Sequence, residues 1–465
     1  MTEGKSSIVN YSLVKFHIGF SMLYLLIVML GGLLYSLQFI GLYPFAGIEF
    51  LSPGRIRMLH TNGAVYGFII NGFMAGLYWA VPRLTGYRVW NEKYIGWFLA
   101  IALQSAVLAT AGGLLLGFAQ AIEWGETPIF IDPAIVAWLI VTLPQFTVPI
   151  YKYAKEKPLY AANWYITAGL IWVIMVYIMG NYIPQFFVPG VAGAAITGTW
   201  IHDAVGLYVT PIGWGLMYYF VPVLLKKPIW SHSLSLLGFW GLAFFYPLQG
   251  VHHYLWSPIP MYAQYAAVLS TVVLELAVVT VIVNFLMTLR GNSEAMRTNI
   301  PIRWMFVGTI NYAITCLQCA FHVLLTTQKV IHFTDWVVGH AHLIMYGTFG
   351  FWIMGFFAYL WPKVRKADVY SRALDEWAFW LVTIGTATMW VDLISAGLVQ
   401  GFNWWGLSPF IDSVNFSVPF WAARTITGVM ITVGVILYAY NMYMTGRKAP
   451  MPVLEAKAQT SGGAA

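Results

Sequence analysis

Twelve apolar runs, each at least roughly the twenty residues a bilayer requires, recur along this chain and constrain its fold more than any other feature. They cover 13–40, 56–82, 94–119, 133–154, 163–188, 200–224, 232–254, 262–289, 302–328, 337–363, 375–401 and 417–445. A hydrocarbon phase offers no partner to a free peptide group, so each run is expected as a helix. The fold class follows as an all-α integral membrane protein of twelve transmembrane helices. No connecting segment is long enough for a second domain, so residues 1–465 read as one membrane domain, with a tail at 449–465 expected to be disordered. Composition agrees, because 60% hydrophobic and 9% charged residues, with a mean hydropathy of +0.71, would not suit a water-facing surface.

The net charge of +7 reports topology rather than a nucleic-acid patch, because the basic residues sort by loop. One set of loops carries Arg83, Arg88 and Lys93; Lys152, Lys155 and Lys157; Lys226 and Lys227; Arg290, Arg297 and Arg303; Lys363, Arg365, Lys366 and Arg372; and Arg447 and Lys448. The other set holds Glu123, Glu126, Asp132 and Asp412, with Arg55, Arg57 and Lys329 as exceptions. The positive-inside rule then puts both termini in the cytoplasm. No secretory cleavage site precedes the first run, which is too long for a signal sequence. Cys316 and Cys319, spaced CLQC with no following His, lack the pattern of covalent haem attachment and read as buried packing.

Within this frame, the stretch from Trp336 to Gly347, WVVGHAHLIMYG, carries His340 and His342 inside an apolar run. At 100° per residue the two imidazoles point about 200° apart, so one helix can serve two cofactors at nearly one depth. The plain alternative is a pair of hydrogen-bonded core histidines. The topology weighs against it: His60, His202, His252, His253, His340 and His342, drawn from four runs, all fall near the same outer face. Ionisable groups within a membrane are functional candidates by default, and imidazole is a common ligand of haem iron. His17 and His232 fall near cytoplasmic ends, where a snorkelling imidazole is unremarkable; His322 and His332 lie near the outer end of the ninth run.

His252 and His253 are neighbours, so on a helix their rings diverge by about 100° and can share a metal only off the helix flank, with a third ligand from elsewhere. His202 can supply it. Three neutral imidazoles suit copper or iron(II) and leave a position open for a small ligand, whereas structural zinc asks for a closed fourth donor.

His60 in RMLHTN, His202 in WIHDAVG, the pair in GVHHYLW and the GHAH of run ten together resemble the catalytic subunit of the haem-copper oxidase and nitric oxide reductase superfamily, across essentially all twelve runs. The resemblance implies that His60 and His342 are axial ligands of a low-spin b-type haem. It implies His340 as the ligand of a high-spin b-type haem, with His202, His252 and His253 holding the facing non-haem iron or copper. Arg424, in FWAARTITG, is a charge that must be paired; haem propionates are the expected partner, and Asp412 the alternative. Glu123 and Glu126 resemble a region where relatives bind calcium near the propionates; plain solvation is the alternative.

Within the superfamily, WIHDAVG, HFTDWVVGHAH and YAYNMY resemble the cbb-type oxygen reductases, whereas GFMAGLYWAVP resembles nitric oxide reductases. Tyr246, six residues before His252 and about 9 Å deeper on a continuous helix, matches a tyrosine of the oxygen branch. A polar cap over the gap at Pro247 is the alternative. Glu275, in VVLELAVV, lies close to a glutamate position of the nitric oxide branch, and as a lone acid amid Val and Leu is suited to passing protons. Gln318, where cbb-type enzymes keep a glutamate, and Asp203, where they keep asparagine, depart from the oxygen branch; Gly206 departs from the other, which places a metal-ligating glutamate four residues after this histidine. On that balance nitric oxide is the expected substrate and oxygen the alternative. Electrons are expected from a partner subunit carrying cytochrome c-type haem or copper, because the chain has no covalent haem motif. A cofactor-free transporter using the buried His, Glu275 and Arg424 is the remote alternative.

Overall fold

The computed structural model describes residues 7–451; the expectation for the C-terminal tail falls largely outside them, on 452–465. Eleven helices among the described residues are long and apolar enough to cross a membrane: α1 (Tyr11–Ile40), α2 (Pro53–Thr85), α3 (Glu92–Leu115), α4 (Ile129–Ala154), α5 (Ala161–Phe186), α6 (Gly190–Leu225), α8 (Met261–Leu289), α9 (Ile300–His322), α10 (Asp335–Arg365), α11 (Arg372–Trp405) and α12 (Phe410–Met444). This is a multi-pass membrane protein.

The seventh run corrects the expectation of twelve continuous spans. Its helix, α7, covers only His232–Phe245 and gives way to 3-10 turns at Tyr246–Leu248 and Gly250–Tyr254. Pro247 is the physical cause: it has no N–H to donate, and its ring clashes with the carbonyl of Ala243 in a continuing helix. His252 and His253 therefore project from a 3-10 turn rather than from the flank of an α-helix.

Most spans are half-buried or less, as lipid-facing helices should be, but α2, α6 and α10 are 89%, 83% and 78% buried over their apolar windows. These three form the interior, and they are built alike. Each carries its histidine near one end, passes directly into a π-turn (Gly63–Ile69, Val205–Val209, Leu343–Gly350), and ends just past an internal proline (Pro82, Pro222, Pro362) in a left-handed residue (Gly86, Lys226, Lys366). A π-turn inserts one residue and shifts the helical register, a distortion frequent beside functional sites. The outer helices wrap this core, with α1 packed on both α2 and α12.

Candidate metal centre

Two close contacts bring the triad together. Gly198 of α6 lies against Gly250 of the 3-10 turn, where a Cβ on either would meet the other's backbone at about 2.5 Å. Backbone touching backbone carries His252 and His253 to His202, and one ligand atom from each ring falls within 4.8 Å of the others. His202 Nδ1 stands 3.1 Å from Nε2 of both His252 and His253. Among the described residues no carboxylate joins the group. Three gathered imidazole nitrogens fit copper or iron(II) better than a closed structural zinc site.

His60 and His342 form a second pair, with ring centroids 6.1 Å apart and planes 26° from parallel. An imidazole nitrogen binds a metal at about 2.0–2.1 Å and its ring centre lies roughly 1.1 Å beyond, so two rings sharing one ion from opposite sides stand roughly 6.3 Å apart. The observed spacing is compatible with two rings sharing one ion. Nδ1 of His60 donates to Val28 O and Nδ1 of His342 to Val338 O, both at 2.8 Å, which leaves each Nε2 with its lone pair free. The ring of His60 nests against Gly32, where a Cβ would lie 2.6 Å from its Cε1.

His340 turns the other way on α10, as the 200° separation requires. Its Nδ1 donates to Gln318 Oε1 at 3.2 Å, and Trp390 Nε1 donates to the same oxygen at 3.4 Å. Gln318 thus orients His340, while Cys319 Sγ lies 3.5 Å from its Nε2 and His322 packs edge-on at 5.2 Å. Arg424 is buried beside the first pair and acts electrostatically on both His60 and His342, yet forms no ion pair among the described residues. Asp412 is not its partner. Asp335 and Asp392 offset its charge only at longer range, so a buried guanidinium with no ion pair has room for an anion from outside the chain, which fits haem carboxylates.

Tyr246 lies over His202, with centroids 4.7 Å apart and planes within 12°. Its ring fills the space above Gly206, so that a Cβ placed there would fall inside the phenol. Glu275 sits half-buried on α8, with Oε2 unpartnered, and acts electrostatically on Tyr246, Tyr312, Cys316 and Cys319. Asp203 is fully buried with both carboxylate oxygens unpartnered, but it is not among the gathered ligands. Glu126 is buried and already satisfied, by Asn62 Nδ2 at 2.8 Å and Arg57 Nη2 at 3.4 Å, while Glu123 is exposed and joins neither contact. Among the described residues no group of three gathered metal-ligating side chains includes either glutamate.

Sequence reasoning missed four things here. Gln249 and Thr271 hold the triad, at 3.0 Å from His202 Nε2 and 2.8 Å from His252 Nδ1; Gln249, a lone amide in the apolar YPLQGV, was a visible signal, and Thr271 was not. It also missed the likeness of α2, α6 and α10. His17, placed as a snorkelling residue, is instead fully buried, with Nδ1 bonded to Asn71 Oδ1 at 2.9 Å and its ring stacked on Tyr78.

The fold and the histidine constellation define a haem-copper type redox protein. The family profile described as cytochrome c and quinol oxidase polypeptide I matches residues 12–430, and the chain belongs to that family. It is 31% identical to cytochrome c oxidase subunit 1 of Rhodobacter capsulatus, over 88% of this chain and 80% of that one. It is 29% identical to the cbb3-type cytochrome c oxidase subunit CcoN1 of Stutzerimonas stutzeri, over 90% and 91%. A nitric oxide reductase subunit of the same organism is more distant, at 21% over 91% and 93%. A haem-copper terminal oxidase dimer solved by cryo-EM shares the fold, with a TM-score of 0.77 at 17% identity over 95% of this chain and 85% of that one.

Proposed function

We propose that the chain is the catalytic subunit of a cbb-type terminal oxidase, reducing oxygen to water with electrons passed on by a partner subunit. The expectation from sequence leaned to nitric oxide; the relatives lean the other way, since the five oxidase subunits matched over 84–91% of this chain are 28–31% identical and the nitric oxide reductase 21%. The observation that carries the reading is the phenol of Tyr246 on His202. The ring on His202 supports a role for its hydroxyl at the triad, and it leaves no room at Gly206 for the carboxylate ligand that the nitric oxide branch was expected to need.

His60 and His342 would hold the low-spin haem, His340 the high-spin haem and the triad a copper ion; when bound, these groups supply electron transfer and gas binding. The chain's own residues supply the rest. Tyr246 can give a proton and an electron at the triad, which matters because oxygen must take four electrons and four protons without releasing peroxide. Glu275, with Oε2 unpartnered and an electrostatic influence on Tyr246, is the carboxyl suited to pass protons toward that cluster. Arg424 would present a positive charge to the low-spin haem's carboxylates. An apolar cavity of about 50 Å³, lined by Tyr66, Trp124, Trp200, Tyr208 and Met345 among others, flanks the helix that carries His202 and suits a small apolar gas.

Metal analysis of the purified complex, read with gas consumption, tests the reading. One copper with two haem irons and consumption of oxygen is expected. A third iron without copper, with nitrous oxide formed from nitric oxide, would reinstate the reductase.

A further inference from the structure

We infer that Asp392, an acid within α11, takes up a proton when an electron reaches the metal held between His60 and His342. The inference rests on the reading of that pair as the low-spin haem site.

Helix register places the residue. On α11, a Cβ on Gly385 would stand 2.8 Å from Cγ1 of Ile431 on α12, and the Met389 methyl lies 3.6 Å from the position a Cβ would take on Gly428. Asp392 follows Met389 by three residues, so it continues this stripe towards Arg424, one turn before Gly428. Its Oδ2 is buried with no partner. The charges that act on it are Asp335, at the start of α10, and Arg424. Arg424 in turn acts on both His60 and His342, so Asp392 stands one charge away from the pair; Tyr35 of α1 acts on Arg424 alone. The other elements packed on α11 turn their polar groups elsewhere. Gln318 of α9 accepts from Trp390, which points about 200° away from Asp392, and Lys329 of the short helix Leu325–Ile331 has Nζ 5.7 Å from the Trp405 ring at the outer end of α11.

Of these three charges only Asp392 is free to change. A guanidinium keeps its proton throughout. Asp335 is already committed as an acceptor, with Oδ2 receiving Gln400 Nε2 at 2.7 Å and Trp421 Nε1 at 2.8 Å. Asp392 has neither such donors on Oδ2 nor an ion pair among the described residues. An ionisable group kept in a membrane helix without a partner is a functional candidate. An electron arriving between His60 and His342 adds a negative charge near this carboxylate, in a low-dielectric interior where it is felt strongly. One proton added to the carboxylate balances the one electron, and the same proton leaves when the electron does.

The test is a redox titration of the low-spin haem bands in the whole complex, from about pH 6 to 9. The wild-type midpoint should fall by up to about 59 mV per pH unit, the tenfold change in proton concentration taken at one proton per electron. Asp392→Asn is neutral at every pH and should lose that slope, with a midpoint above wild type at the alkaline end. Asp392→Glu keeps a carboxyl and should keep the slope. In reduced-minus-oxidised infrared spectra, the carbonyl band of a protonated carboxyl should appear in wild type, shift in the glutamate variant and be absent from the asparagine one. A wild-type slope in Asp392→Asn overturns the proposal, as does a wild-type midpoint independent of pH. Should the asparagine variant fail to assemble, the infrared pair decides, and a carboxyl band at the same frequency in wild type and Asp392→Glu overturns it. If the wild-type complex shows no low-spin haem bands, it is the reading of His60 and His342 that fails.

Discussion

At the scale of single residues, the opposed faces of α10 make the sharpest expectation. His60→Ala should remove the low-spin signal from a reduced-minus-oxidised spectrum and leave carbon monoxide binding, whereas His340→Ala should remove carbon monoxide binding and leave the low-spin signal. If each variant loses both signals, the two rings do not serve separate groups. Tyr246→Phe keeps the stack on His202 and loses only the hydroxyl. Oxygen turnover should fall by about 10²–10⁴-fold with haem and copper contents unchanged, the range expected for a positioned proton donor. Turnover at wild-type rate in that variant would remove the phenol from the mechanism.

Among elements, the 3-10 turn after α7 matters most, because it is where regular structure gives way to a site. Pro247 stops the helix, and the paired glycines let the turn lie directly on α6. Gly250→Ala should push the turn away from Gly198, costing about 1–3 kcal/mol of stability as overpacking does and lowering non-haem metal content, while the His60–His342 pair keeps its spectrum. Thermal unfolding followed at the haem bands, alongside copper analysis, would show whether the damage stays local. The same element explains why Tyr246 was harder to place from spacing: a distance counted along a continuous helix says nothing of a ring that ends up flat on His202.

For the whole molecule, the loop between α3 and α4 closes the histidine end of the bundle and tucks Glu126 inside. Burial pushes this carboxyl above the ordinary carboxylate value of 4.5, with Asn62 and then Arg57 pulling against the shift. A carboxyl raised on folding costs nothing while protonated in both states, and its cost grows as pH rises from the unfolded value through the folded one. Glu126→Gln should therefore become more stable than wild type, by up to a few degrees in Tm, as pH is raised from about 5 towards 8. A difference between the two that is independent of pH would mean that Arg57 fully neutralises the charge.

Hydropathy and the order of the histidines were sufficient, by themselves, to specify a helical membrane protein and the split between His340 and His342, because a bilayer enforces helices and a helix enforces angles. The family was legible because the motifs RMLHTN, WIHDAVG, GVHHYLW and GHAH follow one another in a fixed order along the chain. What the sequence could not decide was what lies beside what across helices. That Tyr246 fills the space over Gly206, that Gln249 and Thr271 hold the triad from two sides, that Gln318 orients His340 and that His17 is sealed inside are outcomes of packing between segments far apart in the chain. Periodicity sets the face on which a residue lies; only the tertiary structure, through close contact and the need to satisfy every buried polar atom, selects its neighbour.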